Sequence, residues 1–337
     1  MTASPRQPPL TDPFRIADVE IANRVLLAPL AGIGNWFVRL QAKRYGAGLA
    51  TSEMVSSFAI HHRNDKTLRE LLRIHPDERA GGPVAMQLFG HDPEVMRSAA
   101  ARVAAAGADL IDLNMGCPVP KVCKTGAGAA LLDDPDRAVA LAGAAREGSG
   151  LPVTVKLRPG REPGDCGGVE LAKRLVDEAG VAGLTFHPRH ANQHHKGRPD
   201  YDLARDLVRE LAPTPVIVSG GLREADGVRA AFDHTGAAAV MLARGSLGNP
   251  WLFARLLGAR EDEPTPDEVL DELEWLVDRA AEHFGPDRAA RNLRKFYPWY
   301  LDRLDPPRAA YDALQRSDGL DHARAVLAGL RLAPAPA

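Results

Sequence analysis

A (β/α)8 barrel, an α/β fold of the TIM type, followed by a small all-helical C-terminal domain is the architecture this sequence predicts. Three observations predict it: eight short apolar runs, helix-patterned segments between them, and a stretch beyond Gly258 that carries helical patterns and no strand. The runs are apolar on both faces rather than alternating, as a parallel sheet covered on both sides requires. An open doubly wound sheet is the competing arrangement, and the count of eight favours the barrel.

The predicted strands are residues 25–30 (VLLAPL), 49–55, 84–88, 110–114, 153–157, 184–187, 216–219 and 239–242. Helical patterns fall between them, at 93–106, 135–146, 169–179 and 223–234. The pattern breaks at GAREDEPTP (258–266), an acidic, proline-bearing stretch that marks a domain edge. Thr265 then supplies an N-cap, Pro266 the first helical position and Glu268 the third residue of a capping box. Val269, Leu273, Leu276, Ala280 and Phe284 follow at helical spacing. The expected organisation is a catalytic barrel over 12–257 and a helical domain over 265–332. The proline-rich tails before Asp12 and after Leu332 are expected to fray.

The 337 residues are 45% hydrophobic and 26% charged, with a formal net charge of -2, which excludes collagen-like, low-complexity and wholly disordered classes. Three cysteines (Cys117, Cys123, Cys166) cannot build a disulfide framework, and the odd number suits a reducing compartment. No run of eighteen apolar residues spans a membrane, and MTASPRQPPLTDPF lacks the features of a signal peptide. A cytoplasmic protein with no membrane contact is expected. Near-neutral charge excludes nucleic-acid binding through bulk positive potential and leaves room for a local basic patch.

In a barrel of this type the working residues sit where strands end. Read in order, those positions hold Pro29, Glu53, Gln87, then Asn114 with Gly116 and Cys117, then Lys156 with Arg158. His187 with Arg189, Ser219-Gly220-Gly221 and Ala243-Arg244-Gly245 complete the ring. Polar groups at the ends of apolar strands are costly unless paired or used, so a site is expected there. The last two loops are the ones that hold phosphate in this fold, where glycine lets backbone N–H groups approach an anion and Arg244 adds a charged fork. Cys117 lies between Gly116 and Pro118 at a strand end. An unperturbed thiol is mostly protonated at neutral pH, so it can act as acid or nucleophile. Cys123 and Cys166 read as structural. Cys117, Cys123, His187, His190, His194 and His195 match no common zinc spacing, so no metal is assigned. Lys156 is open to three readings: Schiff base, salt bridge, or neighbour of a cofactor that becomes anionic.

DLNMGCPVPKV (112–122) followed by GAGAALL (126–132) resembles the signature of the tRNA-dihydrouridine synthases, in the bacterial B-type subgroup. LAPLAG from Leu27, SEMVS from Ser52, AMQLFG from Ala85, VKLR from Val155, HPR from His187, RGSLGNPWLF from Arg244 and RKFYPWYL from Arg294 extend the likeness over nearly the whole chain. The resemblance implies flavin mononucleotide (FMN) held in the barrel and a reduced nicotinamide, NADPH or NADH, as electron donor. It places Pro29, Leu30 and Ala31 under the flavin ring, Gln87 at its pyrimidine edge, and Lys156 and His187 beside it. Ser219, Gly220, Gly221, Ala243 and Arg244 correspond to the flavin and phosphate grip. Asn114 and Arg189 correspond to the substrate pocket, and Cys117 to the catalytic acid. Two positions depart from the family pattern: Ser219 stands where asparagine is frequent, and His190 where a second arginine is usual.

The reaction implied reduces the C5=C6 bond of a uridine flipped out of folded tRNA, with hydride delivered to C6 and a proton from Cys117 to C5. In the tail, Arg291, Arg294 and Lys295 interleave with Phe296, Tyr297, Trp299 and Tyr300. The aromatics are expected in the domain core and the basic residues against RNA phosphates, with Arg294 and Lys295 as the chief contacts. No obligate protein partner is expected. The competing functions are an FMN-dependent reductase or dehydrogenase of a free pyrimidine, a non-catalytic tRNA-binding protein, and a flavin-free barrel lyase for sugar phosphates.

Overall fold

The computed structural model describes residues 7–332. Within them the chain divides into two compact units, one running through Ala243 and one beginning at Arg244.

The first unit opens with a hairpin, β1 (Phe14–Ile16) paired antiparallel with β2 (Val19–Ile21). Its remaining strands are β3 (Val25–Leu27), β4 (Leu49–Thr51), β5 (Val55–Ser56), β6 (Val84–Phe89), β7 (Leu110–Met115), β8 (Val153–Leu157), β9 (Gly183–Phe186), β10 (Val216–Ser219) and β11 (Ala239–Leu242). Parallel pairing runs β4-β3-β11-β10-β9-β8-β7-β6, and a β4–β6 pairing closes the ring, so eight parallel strands form a barrel. All eight predicted runs are strands of this ring. The residues of β3, β4, β10 and β11 are buried throughout, as a sheet lined inside and covered outside requires.

Caps written into the sequence set the helix ends. Asp92 and Asp134 each accept a backbone N–H three residues on and precede Pro93 and Pro135, which open helices Pro93–Ala105 and Pro135–Ser149. Gly150 and Gly236 end two helices in the left-handed region. The hairpin side chains Phe14, Ile16 and Ile21 pack with Leu26, Leu49, Ala85, Leu110 and Ile217, which lie at the starts of barrel strands. That layer closes the amino-terminal end of the barrel and assigns the chemistry to the other end.

Three local expectations change. The predicted strand over 49–55 is two pieces, because the β4–β6 ladder ends at Ser52: its N–H makes the last bond, to the Ala85 carbonyl, and its Oγ accepts the Gln87 N–H. The predicted first strand stops at Leu27, and Leu30 accepts N–H bonds from Ile33 and Gly34 in a tight turn. The amino-terminal tail is docked from Gln7 onward: Gln7 Nε2 donates to the Ala237 carbonyl at 2.8 Å, and the buried Leu10 accepts the Arg24 N–H at 2.8 Å. Residues 1–6 and 333–337, also expected to fray, lie outside the described residues.

The second unit is helical among the described residues. A short turn, Arg244–Ser246, leads to helices Trp251–Leu256, Pro266–Phe284, Pro286–Leu293, Tyr297–Leu304, Arg308–Arg316 and Leu320–Leu332. The capping box at Thr265 forms in full, and Arg260 clamps the Glu268 carboxylate at 2.7 and 2.8 Å. Val269, Leu273, Leu276 and Ala280 are buried, whereas Phe284 is half-buried at the helix end. Helix Trp251–Leu256 belongs to this unit rather than to the barrel, since Arg255 and Arg303 share the carboxylate of Glu263.

Candidate active site at the carboxyl ends of the barrel strands

Strand register brings the predicted polar residues to one mouth. Gln87 on β6 stands opposite Asp112 on β7, and Asp112 opposite Thr154 on β8. Two residues further along the same faces, Asn114 stands opposite Lys156, and Lys156 opposite Thr185 on β9. Lys156 Nζ donates to Ser219 Oγ at 3.2 Å, so the serine at the departing position holds the ammonium directly. Burial and the nearby Arg158 lower the Lys156 pKa to about 8, with Asp112 pulling it back up. The lysine is thus charged at neutral pH and half-buried in the mouth, where a negative charge would be welcome.

Cys117 sits half-buried on a loop that is tied down on both sides. Its N–H donates to Asn114 Oδ1 at 2.9 Å, and its carbonyl accepts from Ala129 N–H at 3.0 Å and from Cys123 Sγ at 3.3 Å. The Sγ contact ties Cys123 to the same loop. Burial raises the Cys117 pKa above the ordinary thiol value, and the opposing pulls of the Val119 N–H, Arg158 and Lys156 do not reverse it. The thiol is therefore neutral at physiological pH, which suits a proton donor.

His187 is buried and its pKa is strongly lowered, first by burial and then by Lys156, Arg158 and Arg189. It is a neutral imidazole, and its Nε2 lies 3.3 Å from Arg189 Nη1. The buried Arg189 also donates to the Gly197 carbonyl at 3.0 Å, so its guanidinium braces the 189–197 loop from inside. Arg158 reaches the same loop, donating to the carbonyls of Arg189, His190 and His194 at 3.0–3.1 Å. His190 turns its Nε2 to the Asp165 carbonyl at 3.1 Å. A polar cavity of about 540 Å³ opens on the rim beside this loop, lined by Pro118, Cys123, Arg161, Asn192 and His194 among others.

The loop after β10 carries Gly220 and Gly221 at φ +93° and +80°, in the left-handed region that glycine tolerates. A Cβ on Gly220 would stand 2.2 Å from the His187 ring, and one on Gly221 2.7 Å from Pro199. The positive φ values and the packing of His187 and Pro199 together require glycine at both positions. Ala243 follows β11, and Arg244 opens the second unit directly after it in the chain. Pro29, Leu30 and Ala31 form the turn after β3; Leu30 is buried and Ala31 exposed. Glu53, between β4 and β5, accepts the Gly32 N–H at 2.8 Å and pins that turn.

In the second unit the aromatics Phe296, Tyr297 and Tyr300 are buried and Trp299 is half-buried, as expected. The three basic residues differ. Arg294 donates to the Ser317 carbonyl at 2.8 Å and takes part in the fold, whereas Arg291 and Lys295 are exposed.

Sequence reasoning passed over Asp112 and Thr154. Both are buried polar residues inside predicted strands, and they form a hydrogen-bonded pair at 2.7 Å. A carboxylate in an otherwise apolar β-run was the available signal.

Residues 26–328 match the family model described as dihydrouridine synthase (Dus). The chain is 34% identical over 309 residues to a protein of Pasteurella multocida named tRNA-dihydrouridine synthase B, covering 89% of this chain and 91% of the relative. It is 35% identical over 298 residues to the Yersinia pestis protein of the same name, covering 87% and 91%. Among solved structures, morphinone reductase superposes with a TM-score of 0.57 at 20% identity, covering 80% of this chain and 94% of that one, which shows a shared barrel fold. Among the described residues no helix is long and apolar enough to cross a membrane.

Proposed function

The chain belongs to the dihydrouridine synthase family, and on that premise we propose that its barrel mouth reduces the C5=C6 bond of uridines in tRNA, using bound FMN and electrons from NADPH. The observation that carries this reading is the pairing of a neutral thiol, Cys117, with a half-buried ammonium held by Ser219, Lys156, at the same end of one barrel. A reduction of an activated C=C bond needs a proton donor and a fixed positive charge, and these two supply them.

The residues present fit a flavin phosphate. The side-chain-free Gly220–Gly221 turn would take its oxygens, and Ala243 continues that grip in the proposal. Lys156, held by Ser219, would meet the edge of the ring that gains negative charge, with Gln87 at the pyrimidine edge and His187 as a neutral neighbour. Pro29, Leu30 and Ala31 would line the ring's face. When bound, the flavin supplies the hydride for C6 of the uracil ring.

The chain's own residues do the remainder. Asn114 holds the loop on which Cys117 presents its proton to C5. Arg189, braced on Gly197, keeps the loop beside the substrate in shape. A uridine within folded tRNA must leave its stack to enter this mouth. The helices over 265–332 provide the RNA contact, with Lys295 and its exposed neighbour Arg291 facing phosphates, while the barrel unit, which ends at Ala243, holds the flavin.

The test is anaerobic and follows the visible spectrum of the photoreduced protein. Addition of tRNA lacking dihydrouridine should reoxidise the flavin, and free uracil should not. Cys117→Ala should keep flavin binding and its reduction by NADPH, yet slow the tRNA step by 100-fold or more, the low end of what a general acid contributes. Reoxidation by free pyrimidine and none by tRNA would overturn the reading in favour of a small-molecule reductase.

A further inference from the structure

A line of four side chains joins the barrel interior to the Cys117 loop. Asp112 is buried, with both carboxylate oxygens used: Oδ1 accepts from Thr154 Oγ1 at 2.7 Å and Oδ2 from Gln87 Nε2 at 2.7 Å. Gln87 Oε1 accepts from Asn114 Nδ2 at 3.0 Å. Asn114 Oδ1 in turn accepts the N–H groups of Cys117 at 2.9 Å and Gly116 at 3.3 Å. The buried Gln87 is also held from behind, its own N–H donating to Ser52 Oγ at 3.0 Å.

Hydrogen-bond polarity dictates how this line must lie. A carboxylate only accepts, and a backbone N–H only donates. With an acceptor at one end and donors at the other, the two amides between them have one self-consistent orientation. Gln87 must turn its NH2 to Asp112, which leaves its oxygen for the Asn114 NH2, which leaves the Asn114 oxygen for the loop. Reversing either amide sets oxygen against oxygen or N–H against N–H in a buried place, where an unmade bond is costly.

We infer that Asp112 is a positioning residue for the reaction: acting through Gln87 and Asn114, it sets the amide polarity that anchors the Cys117 loop and so places the thiol. It touches neither flavin nor substrate in this role. The same lock decides which edge of the Gln87 amide is left to face the ring site. The inference rests on the reading of Cys117 as proton donor, whereas the relay itself stands without it.

Polarity logic makes an unusual demand of mutants. Asn114→Asp sets a second acceptor against Gln87 Oε1, and turning Gln87 over merely moves the conflict to Asp112. Adding Asp112→Asn removes it. The new amide at 112 donates to Gln87 Oε1, Gln87 Nε2 donates to the carboxylate at 114, and the Thr154 hydroxyl still has a carbonyl to donate to. Both bonds of Gln87 are restored with their direction reversed, and those from Thr154 and from the Cys117 and Gly116 N–H groups keep theirs. Asp112→Asn alone is mild, because the Thr154 hydroxyl can turn and accept.

The experiment compares wild type, Asp112→Asn, Asn114→Asp and the double variant at pH 8, where the carboxyl groups are ionised. Two readouts need neither flavin nor tRNA: the melting temperature, and the rate of Cys117 alkylation by iodoacetamide, followed on its peptide by mass spectrometry. Asn114→Asp should lower the melting temperature by several degrees and shift the alkylation rate about tenfold or more. The double variant should lie several degrees above the sum of the two single shifts, with alkylation within about threefold of wild type. Additive melting shifts together with alkylation still displaced would overturn the inference, since a mere packing role predicts no suppression. If Asn114→Asp does not fold, the double variant decides alone: folding supports the relay and failure overturns it. Suppression in a protein whose wild type does not reduce tRNA uridine would sink the functional reading and leave the relay standing.

Discussion

At the scale of single residues, the barrel mouth works by withholding water from charges. Burial raises the Asp112 pKa to about 6 even though Gln87, Thr154 and Lys156 all favour its charged form. An unfolded aspartate releases its proton near ~3.9. Between that value and about 6 the folded chain holds a proton that the unfolded chain has lost. Stability therefore falls as pH rises through this window, and the cost is complete by pH 7. Asp112→Asn abolishes the titration. Urea unfolding of the flavin-free protein across pH 4 to 7 should show wild type losing on the order of 3 kcal/mol relative to this variant. A difference that stays flat across the window would mean that the carboxyl is not held in this environment. Such a residue, costly to stability and fully hydrogen-bonded, is what a site retains for geometry rather than for folding. Cys117 follows the same rule with the opposite benefit, because burial keeps its proton on and leaves it available to give.

At the scale of elements, turns and caps decide what can approach the mouth. The Gly220–Gly221 turn faces the His187 ring and Pro199 so closely that a methyl group at either position has no room. Gly220→Ala combines a left-handed φ with that clash, so local strain of about 1–3 kcal/mol is expected. The measurable result is flavin loss: dialysis of the variant should release the cofactor, with Kd raised about tenfold or more, while the far-ultraviolet circular dichroism stays unchanged. Retention of flavin at wild-type affinity would move the phosphate grip elsewhere. The break between β4 and β5 has a comparable function. Where the ladder ends, the Ser52 hydroxyl receives the Gln87 N–H, and Glu53 pins the turn after β3.

At the scale of the whole molecule, a net charge of -2 means that tRNA must be held by local patches. Arg291 and Lys295 are exposed in the helical unit, whereas Arg294 is committed to Ser317. Reversal of Arg291 and Lys295 together, each to Glu, is therefore the informative variant, since it leaves the Arg294 contact intact. Affinity for tRNA should fall at least tenfold and the salt dependence should flatten by about one unit of slope per lost phosphate contact. Reduction of bound flavin by NADPH should be unaffected. Unchanged binding would remove this helix from the RNA surface.

The sequence by itself determined the eight strands, the helical tail, the capped helix at Thr265 and the positions at which chemistry would collect. These are local properties: apolar runs, Asx-Pro and capping-box signals, and glycines where strands end. It carried the Cys117 motif and its family likeness as well. What only the tertiary structure decided depends on which residues meet across strands. The hairpin over 14–21 gains its place from contacts with strand starts far along the chain. Only folding set Lys156 against Ser219, and Asp112 was one buried letter in an apolar run until register brought Gln87 and Thr154 to its two oxygens. Pairing register and burial are properties of the closed barrel. They govern hydrogen-bond polarity and proton affinity, and no linear pattern records them.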